Sequence, residues 1–523
     1  MKVLAWIEET AKRSLTRFGA ASLWGLALFL LLSYLNLWEK DHIDLLAVLF
    51  ALGNGALSSV VIKIFLEIKN RKVMPLIYLF PGVIYYGLFS LYQAKSYLIL
   101  GGLGLAAALT GLLVFLLSTE KRGKSAFPPV FLAALESSGL SLLTAGAISL
   151  CIAAVNALLF HLSWRWWTEA FYFGFFVAGW NMFLAEIPEV HEEIVLPPMA
   201  GKVLTRVFLP LYGIYLLILY GYLGKIAWAL EMPEGTMNWY ASIAVLGYVF
   251  FTFMLYGNKD EKISRLIRRG GILLIPIVAV QLWGVYIRYT AYGLTTWRYL
   301  SIACTFYGII VMASGISGKP IRPLFLLGAL LSLLLTVTPV NIIDIPAKDQ
   351  QARLIEVLEK YHMLSHGKIL PGNVEGKDRE TLLSAYHYLH YDRSRETDPF
   401  IVTVSESEVL KEIGERNLPE PEEVKELSYF RLTAPIREMS VEGWKRLIPF
   451  KGKITDGKIT VKSETGEETF DLGPFMEKFP KEGKRQYDEP VFFDPDEHHR
   501  LYFKAVNFEE GKPVHGEGIL LEK

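Results

Sequence analysis

The chain has few cysteines for its 523 residues. The two present, Cys151 and Cys304, lie in apolar runs with no partner nearby in sequence, which is typical of small buried hydrophobic residues. Residues 340–523 contain no cysteine. The sequence therefore predicts neither a disulfide framework nor a thiolate metal site.

Several catalytic motifs are also missing. The sequence contains no G-x-S-x-G nucleophile elbow, no Walker loop and no dinucleotide-binding fingerprint. No small-residue cleavage site follows the first apolar run, so this run predicts a retained signal anchor and not a cleaved signal peptide. Whether the protein is an enzyme stays open, and the missing motifs favour the answer that it is not.

Long apolar runs are absent after Pro339, and this absence divides the chain. Residues 1–339 carry 26 Lys/Arg against 17 Asp/Glu, whereas residues 340–523 carry 27 against 36. This contrast predicts two domains, a multi-spanning transmembrane domain at 1–339 and an acidic α+β domain at 340–523. An acidic soluble part also disfavours nucleic-acid binding, which requires positive charge.

Eleven stretches are long and apolar enough to predict membrane-spanning helices, since a span needs about 20 such residues. They are 18–38, 45–66, 73–92, 97–117, 139–160, 167–185, 204–230, 239–256, 271–287, 297–316 and 322–337. The predicted fold class is therefore an α-helical polytopic membrane bundle of about 11 transmembrane helices, followed by a soluble α+β C-terminal domain.

Positive charge is concentrated in alternate loops between these stretches. Nineteen lysines and arginines lie in the N-terminal segment and in every second loop, against four in the other loops. Loops rich in lysine and arginine stay in the cytoplasm. The pattern predicts a cytoplasmic N-terminus and, after eleven crossings, an extracytoplasmic C-terminal domain.

Ionisable side chains inside the predicted spans are few. Lys63 and Glu67 lie at a cytoplasmic end, where snorkelling towards the headgroups accounts for them. Mid-span amides usually form hydrogen bonds between helices. The sequence has four, namely Asn54, Asn156, Asn181 and Gln281. No chain of buried acids and bases, of the kind that proton-coupled carriers use, occurs in the spans.

The loop between the ninth and tenth predicted spans has the most distinctive local sequence, residues 288–298 (RYTAYGLTTWR). Gly293 allows a tight reversal, because glycine reaches positive φ without a steric penalty. Thr295 or Thr296 can cap the helix that follows.

Two arginines flank this turn and are expected to face each other near the membrane surface. Arg288 and Arg298, with Tyr292 between them, are therefore candidate residues for binding an anion or a lipid headgroup. The alternative is that the two arginines pair with lipid phosphates or with acidic residues of the C-terminal domain.

This loop resembles one in a bacterial family of polytopic membrane proteins, the domain of unknown function 4153 family. Three further segments are similar to that family: Pro210-Leu211-Tyr212 in a tyrosine-rich helix that runs to Met232-Pro233-Glu234-Gly235, the polar Asp349-Gln350-Gln351-Ala352-Arg353-Leu354, and the turn His366-Gly367-Lys368-Ile369-Leu370-Pro371. At His366, family members tend to have Asp or Asn. The similarity covers roughly residues 204–371, and the first half matches only in hydropathy.

The resemblance implies an integral membrane protein with a C-terminal appendage, and it supplies no catalytic residues. Together with the loop charges, it predicts a location in the bacterial cytoplasmic (inner) membrane.

The part after Pro339 has its own pattern of helices and strands. Apolar residues at helical spacing predict helices, and an Asp-Gly pair between short apolar runs is a strong hairpin signal. The predicted helices are 349–365, 379–391 and 407–417. The predicted strands are 399–404, 453–455, 458–461, 490–493, 501–506 and 518–521, with a further turn at 464–467.

Seven of the ten histidines lie in this part, which raises the question of a metal site. His387, His390 and Asp392 are candidate ligands, and His498 and His499 follow the acidic turn 494–497. Zinc needs three or four converging ligands, and none of the spacings matches a zinc-enzyme signature such as H-E-x-x-H. Surface or structural histidines are the preferred interpretation, so no metal and no cofactor is predicted.

Three classes of function fit the sequence. The preferred one is a membrane scaffold or sensor whose external C-terminal domain binds an envelope partner, because intramembrane charge is sparse and the C-terminal domain is large. The second is a transporter or lipid-handling protein that uses the helical bundle and the loop with Arg288 and Arg298. The third is a metal-dependent extracytoplasmic enzyme. The lipid bilayer is a partner in all three.

Overall fold

The computed structural model describes most of the chain. The described residues are 2–38, 43–92, 94–118, 125–190, 197–229, 236–256, 261–365, 368–369, 372, 374–389, 429–433, 444–455, 458–463, 466–472, 485–486, 491–496, 498–509 and 512–523. The chain forms two compact units, Met1–Gly414 and Glu415–Lys523. The sequence predicts a domain boundary after Pro339. In the structure, the described residues of 340–389 belong to the first unit.

The first unit is mainly helical. Its helices are α1 (Lys2–Trp38), α2 (Ile43–Ile68), α3 (Phe80–Phe89), α4 (Lys95–Leu117), α5 (Phe127–Leu158), α6 (Arg165–Tyr172), α7 (Trp180–Glu186), α8 (Pro198–Val203), α9 (Leu209–Ala229), α10 (Thr236–Leu255), α11 (Glu261–Gly270), α12 (Ile275–Tyr292), α13 (Thr296–Ile316), α14 (Arg322–Thr336), α15 (Asp344–Lys360) and α16 (Gly376–His387). A short hairpin, β1 (Leu364–Ser365) and β2 (Lys368–Ile369), lies between the last two helices.

Among the described residues, eight helices are long and apolar enough to cross a membrane. They are Glu8–Leu37, Leu45–Ile68, Lys95–Leu117, Phe127–Leu158, Pro198–Trp228, Met237–Leu255, Lys262–Tyr292 and Thr296–Ile316. Each corresponds to one of the predicted spans. The chain therefore has the helical bundle of a membrane protein, and the predicted number of eleven spans is not confirmed.

The other three predicted spans fall short for two different reasons. Pro75–Phe89 and Arg322–Thr336 are apolar but shorter than a usual span. The stretch 167–185 is helical throughout, as α6, a π-helical turn (Phe173–Gly179) and α7. Its polar residues, including Glu169 and Asn181, reduce its apolar character.

The mid-span amides mostly form the contacts expected of them. Asn54 Nδ2 donates to the carbonyl of Gly102 on α4 (3.2 Å), and Asn181 Oδ1 accepts a hydrogen bond from Ser14 on α1 (3.0 Å). Asn156 differs, since its Oδ1 accepts a hydrogen bond from the backbone N–H of Leu162, just beyond the end of its own helix (2.7 Å). The interhelical role predicted for Asn156 is therefore wrong.

Glu67 forms an ion pair that the sequence did not predict. Its carboxylate binds the guanidinium of Arg17 on α1, with Nε and Nη2 at 3.2 and 2.9 Å. Only 17% of the Arg17 side chain and 25% of the Glu67 side chain are exposed. A paired acid can remain largely buried because the opposite charge compensates for its lost hydration.

The second unit contains an antiparallel sheet with one parallel edge strand. Its strands are β3 (Tyr429–Thr433), β4 (Arg446–Thr455), β5 (Lys458–Ser463), β6 (Gly466–Asp471), β7 (Arg485–Gln486), β8 (Val491–Phe493), β9 (His499–Glu509) and β10 (Lys512–Glu522). The strand order is β6-β5-β4-β10-β9-β3-β7, and β8 also pairs with β9. Thr455 pairs with Lys458 and Ser463 with Gly466, so the strands on either side of both predicted turns are antiparallel partners.

The predicted helices after Pro339 are shifted. The helix predicted at 349–365 is α15, which begins at Asp344 and ends at Lys360, and the one predicted at 379–391 is α16. The two helices share a buried core that includes Leu354, Leu358 and Leu382. The strand predicted at 399–404 and the helix predicted at 407–417 lie outside the described residues.

Candidate functional site

The loop between α12 and α13 depends on a single glycine. α12 ends at Tyr292, and Gly293 follows with φ 69° and ψ −171°, a backbone region that is essentially restricted to glycine. A Cβ atom on Gly293 would lie 2.7 Å from Gln350 Nε2 and 2.8 Å from Arg353 Nη1. Glycine therefore makes the predicted tight turn and also leaves room for two side chains of α15.

Three side chains of α15 bind this loop. Gln350 Nε2 donates to the two carbonyls that flank Gly293, at 2.9 and 2.8 Å. Asp349 Oδ2 accepts a hydrogen bond from the N–H of Leu294 (2.7 Å), and Arg353 Nη2 donates to the carbonyl of Thr290 in the last turn of α12 (2.8 Å). Asp349, Gln350 and Arg353 are hereafter called the clasp. α15 is the first helix after α14, the last apolar helix, and the clasp attaches it to the bundle.

A second contact joins the end of α16 to the same loop. The hydroxyl of Tyr388 lies 3.2 Å from the backbone nitrogen of Thr296 and 2.9 Å from its Oγ1. Thr295 occupies the N-cap position of α13, but its side chain forms no capping hydrogen bond. The capping role predicted for a threonine is thus taken over by a tyrosine that accepts from a free N–H at the start of the helix.

Arg288 and Arg298 line one cavity of about 170 Å³. The other lining residues are Asn238, Trp239, Val285, Thr295 and Trp297. Two guanidinium groups on one cavity favour an anion with several oxygen atoms, such as a phosphate, because such oxygens accept charge-assisted hydrogen bonds. This cavity is hereafter called the arginine pocket.

The two arginines differ in their contacts. Arg298 Nη1 donates to the carbonyl of Gly293 (2.6 Å), and its guanidinium lies 5.8 Å from the centre of the Tyr292 ring. Arg288 forms no hydrogen bond or ion pair with any residue that the structure describes. Charge repulsion acts on Arg298 from both Arg288 and Arg353. A bound anion would relieve this repulsion.

Two tryptophans stand beside the arginines. The rings of Trp239 and Trp297 have their centres 5.3 Å apart, and both side chains are largely exposed. Tryptophan is enriched at the boundary between the hydrocarbon core and water, where the ring sits among headgroups. The pair therefore agrees with a pocket at headgroup level.

Asn238 connects the arginine pocket to a buried polar network. Its Oδ1 accepts hydrogen bonds from Ser301 Oγ (2.7 Å) and Gln281 Nε2 (3.2 Å), and Gln281 Nε2 also lies 2.9 Å from Ser242 Oγ. These residues come from α10, α12 and α13. The predicted interhelical role of Gln281 is therefore confirmed, and the network holds one wall of the pocket in place.

The remaining predicted site residues lie apart from the pocket. The Tyr292 side chain is 52% exposed and contacts Arg298 from outside the cavity. His387 is exposed at the end of α16, whereas His390 and Asp392 are outside the described residues. The metal role of these three residues stays a prediction.

Sequence reasoning missed Asn238 and Trp239 as pocket residues, and it did not predict that the clasp binds the loop between α12 and α13. Asn238 and Trp239 lie at the start of α10, about 50 residues before Arg288 in the chain. The segment that contains the clasp was recognised only by its similarity to the family. An Asn-Trp pair at a helix start next to the membrane surface is the signal that could have pointed to the pocket.

The eight long apolar helices in the described part of the chain define a polytopic membrane protein. Residues 25–362 match the family model described as "Domain of unknown function (DUF4153)". The chain belongs to this family, so the resemblance is confirmed. The match extends into the first half, where only hydropathy was similar, and it ends before the turn at 366–371. No curated protein and no solved structure matches the chain.

Proposed function

We propose that the protein is a membrane scaffold or sensor of the bacterial cytoplasmic (inner) membrane, with an extracytoplasmic C-terminal domain that binds an envelope partner. The observation that carries the proposal is the clasp. It joins α15, the first element beyond the last apolar helix, to the loop between α12 and α13. A partner that moves α15 therefore acts directly on two helices of the bundle.

The extracytoplasmic placement depends on eleven crossings, and the packing of α14 supports one of the short ones. At one end Arg322 Nε donates to the carbonyl of Phe115 (3.2 Å), and beyond the other end the Tyr97 hydroxyl donates to Asp344. The chain from Arg322 to Asp344 thus follows α4 for about 27 Å, given a rise of 1.5 Å per residue. This length approaches the hydrocarbon thickness of about 30 Å.

The stretch from α6 to α7 runs along α1 in the same way. Asn36 donates to the carbonyl of Arg165 (3.0 Å), and Trp180 Nε1 donates to the carbonyl of Ala21 (2.9 Å). Both contacts lie after the kink of α1 at Phe18, and they are about 22 Å apart along the helix by its rise per residue. The third short segment, Pro75–Phe89, contacts α2 at two points, since Ser59 donates to the carbonyl of Tyr78 (3.2 Å) and Ser58 Oγ lies 2.8 Å from the Tyr85 hydroxyl. The proposal takes all three short segments as crossings, and eleven crossings from a cytoplasmic N-terminus would place the C-terminal domain outside.

Cysteine labelling in intact cells tests this topology. Cys151 and Cys304 are replaced by alanine, and a single cysteine is introduced by Ser463→Cys in the C-terminal sheet. We expect a membrane-impermeant maleimide to label this cysteine without lysis. A matched variant, Ser317→Cys, places the cysteine in the exposed turn between α13 and α14. This turn belongs to a predicted cytoplasmic loop, so its label should appear only after lysis.

Two results would contradict the proposal. If Ser463→Cys reacts only after lysis, the number of crossings is even and the C-terminal domain is cytoplasmic. If the purified protein moves a solute across liposomes, transport and not scaffolding is its activity.

A second function, lipid or anion handling, is supported by the arginine pocket. Arg288 and Arg298 line it together, and Arg288 has no partner among the described residues. A membrane phosphate is the chemistry that matches two guanidinium groups next to a pair of interfacial tryptophans.

The Arg288→Gln variant tests this function without removing the hydrogen bond that Arg298 makes to its own loop. We expect phosphatidylglycerol binding to the purified protein, measured by native mass spectrometry, to weaken about tenfold, because a hydrogen bond to a charged group contributes at least about 1.5 kcal/mol. Lys319→Gln removes an exposed charge at another loop and should leave binding unchanged. Equal lipid binding by Arg288→Gln and the wild type would exclude the pocket as the lipid site.

A further inference from the structure

Three polar side chains of the second unit lie on the same faces of their strands as buried apolar residues, and they remain partly exposed, at 44% for Glu468, 18% for His499 and 23% for Glu522. Side chains along a strand alternate between the two faces, so residues two apart share a face. Glu468 lies on β6, His499 on β9 and Glu522 on β10. Each has a buried apolar residue two positions away, namely Phe470, Leu501 and Leu520. His499 and Glu522 are the less exposed members of the group and require polar partners, because unpaired burial costs free energy.

The strand pairing brings the three side chains together. Glu522 and His499 are direct partners in the antiparallel register of β10 and β9. His499 Nε2 lies 3.1 Å from Glu468 Oε2 and 4.0 Å from Glu522 Oε1. One ligand atom of each residue lies within 4.8 Å of the others. Ligand atoms bound to one zinc ion at its usual bond lengths are roughly 3–3.5 Å apart, so small side-chain rotations are sufficient.

A fourth residue orients the imidazole. His499 Nδ1 lies 2.9 and 2.8 Å from the two carboxylate oxygens of Asp496. The backbone N–H of His498 donates to the same carboxylate (2.7 Å), which fixes its position. The Nε2 atom of His499 therefore points towards the two glutamates. Histidines that bind metals usually donate their second N–H to a carboxylate in this manner.

The charge of the cluster is unbalanced. Three carboxylates surround one imidazole, and the nearby Arg446 lies 3.6 Å from Glu522 Oε2, with half of its side chain exposed. Glu522 Oε2 is itself buried and has no hydrogen-bond partner among the described residues. A cation at the centre would satisfy this oxygen and offset the excess negative charge.

We propose that Glu468, His499 and Glu522 bind one divalent first-row transition-metal ion, for which Zn²⁺ is the probe. Imidazole nitrogen and carboxylate oxygen are both zinc ligands, and three protein ligands leave a coordination position for water or an external group. The site is formed by residues of the second unit alone. It is separate from the clasp and the arginine pocket, so it holds whether or not the scaffold proposal does.

Calorimetric titration of the full-length protein tests the site. The protein is purified in detergent, its affinity tag is removed and bound metal is stripped with a chelator before Zn²⁺ is added. We expect saturable binding of one ion per chain. The variants Glu468→Gln, His499→Gln and Glu522→Gln should each weaken it by more than about tenfold, and Asp496→Asn by about 10- to 100-fold, the usual effect of losing a residue that orients a ligand.

The matched control is His498→Gln, which removes an exposed histidine next to the proposed ligand and should leave affinity unchanged. The wild-type titration decides the proposal even if one variant fails to fold. Absence of saturable Zn²⁺ binding would overturn the proposal and leave His499 as a hydrogen-bonding partner of the neighbouring carboxylates. Equal affinity of the wild type and both glutamate variants would also overturn the proposal.

Discussion

At the scale of single residues, Gly293 combines a backbone restriction with a packing restriction. Its φ and ψ are open to glycine and costly for other residues, and the clasp occupies the space where a side chain would begin. The loop geometry and the attachment of α15 therefore both depend on the absence of a side chain at Gly293.

We expect Gly293→Ala to lower the free energy of unfolding by about 1–3 kcal/mol, the usual cost of an unfavourable backbone conformation. The added methyl group also pushes against Gln350 and Arg353, so the amides of α15 should exchange faster. Thermal unfolding and hydrogen exchange in detergent measure the two effects.

Gly270→Ala is the matched control for this substitution. Gly270 has φ −58° and ψ −17°, and nothing lies within 4 Å of a Cβ atom built there. Alanine should be neutral or slightly stabilising at this position, because it lowers the entropy of the unfolded chain. Equal stability of the Gly293→Ala and Gly270→Ala variants would show that the loop tolerates a side chain.

Single-residue predictions from the sequence succeeded where the local chain decides the outcome. The positive φ of Gly293 follows from a tight turn between two apolar helices, and the interhelical role of Gln281 follows from a polar group in the middle of an apolar run. The partners of Glu67 and Asn238 could not be predicted, because Arg17 and Ser301 are about 50 and 60 residues away in sequence. Those contacts depend on helix packing, which hydropathy does not specify.

At the scale of elements, the start of α15 shows a signal that was present but not used. Asn341 Oδ1 accepts hydrogen bonds from the backbone N–H groups of Ile343 and Asp344, at 2.8 and 2.7 Å. An asparagine in this role satisfies free N–H groups at a helix start. Pro346 in the first turn is also well tolerated there. The predicted start at residue 349 was five residues late because only the apolar spacing was considered.

The pairing of α15 with α16 adds a polar contact at their far end. Lys360 Nζ and the Tyr361 hydroxyl both donate to Asp378, at 2.5 and 2.9 Å. These hydrogen bonds favour the charged carboxylate and lower the pKa of Asp378. The two helices thus form one element with an apolar core and a charged edge, in which the clasp residues are carried on a supported helix.

Composition predicted the long helices and the hairpins, and it failed for the short apolar segments. An Asp-Gly pair fixes a hairpin locally, which is why the β4–β5 register agrees with the sequence. α14 begins next to Pro323 and ends at the turn that follows Thr336. The length over which this part of the chain packs along the bundle is set by its contacts with α4. Neighbouring helices are not visible in a single hydropathy profile.

At the scale of the whole molecule, the segment that matches the family model and the first compact unit end at different residues. The DUF4153 match ends at residue 362, within the first unit, which extends to Gly414. The second unit has its own buried core, which includes Phe450, Leu501 and Phe503. The family part therefore contains the bundle, the arginine pocket and the clasp, and the proposed metal site lies outside it.

This division predicts that a chain ending at Gly414 folds in the membrane without the second unit. The first unit retains its helical core, the clasp and the core shared by α15 and α16, so its melting temperature should stay within about 4 °C of that of the full chain. A chain ending at residue 343 is the matched control, since it keeps every apolar helix and loses the clasp. We expect this shorter chain to melt at a clearly lower temperature, because the loop carbonyls next to Gly293 lose their hydrogen bonds to Gln350. If both truncated chains aggregate alike, the first unit requires the second for folding, and the clasp is not what stabilises this end of the bundle.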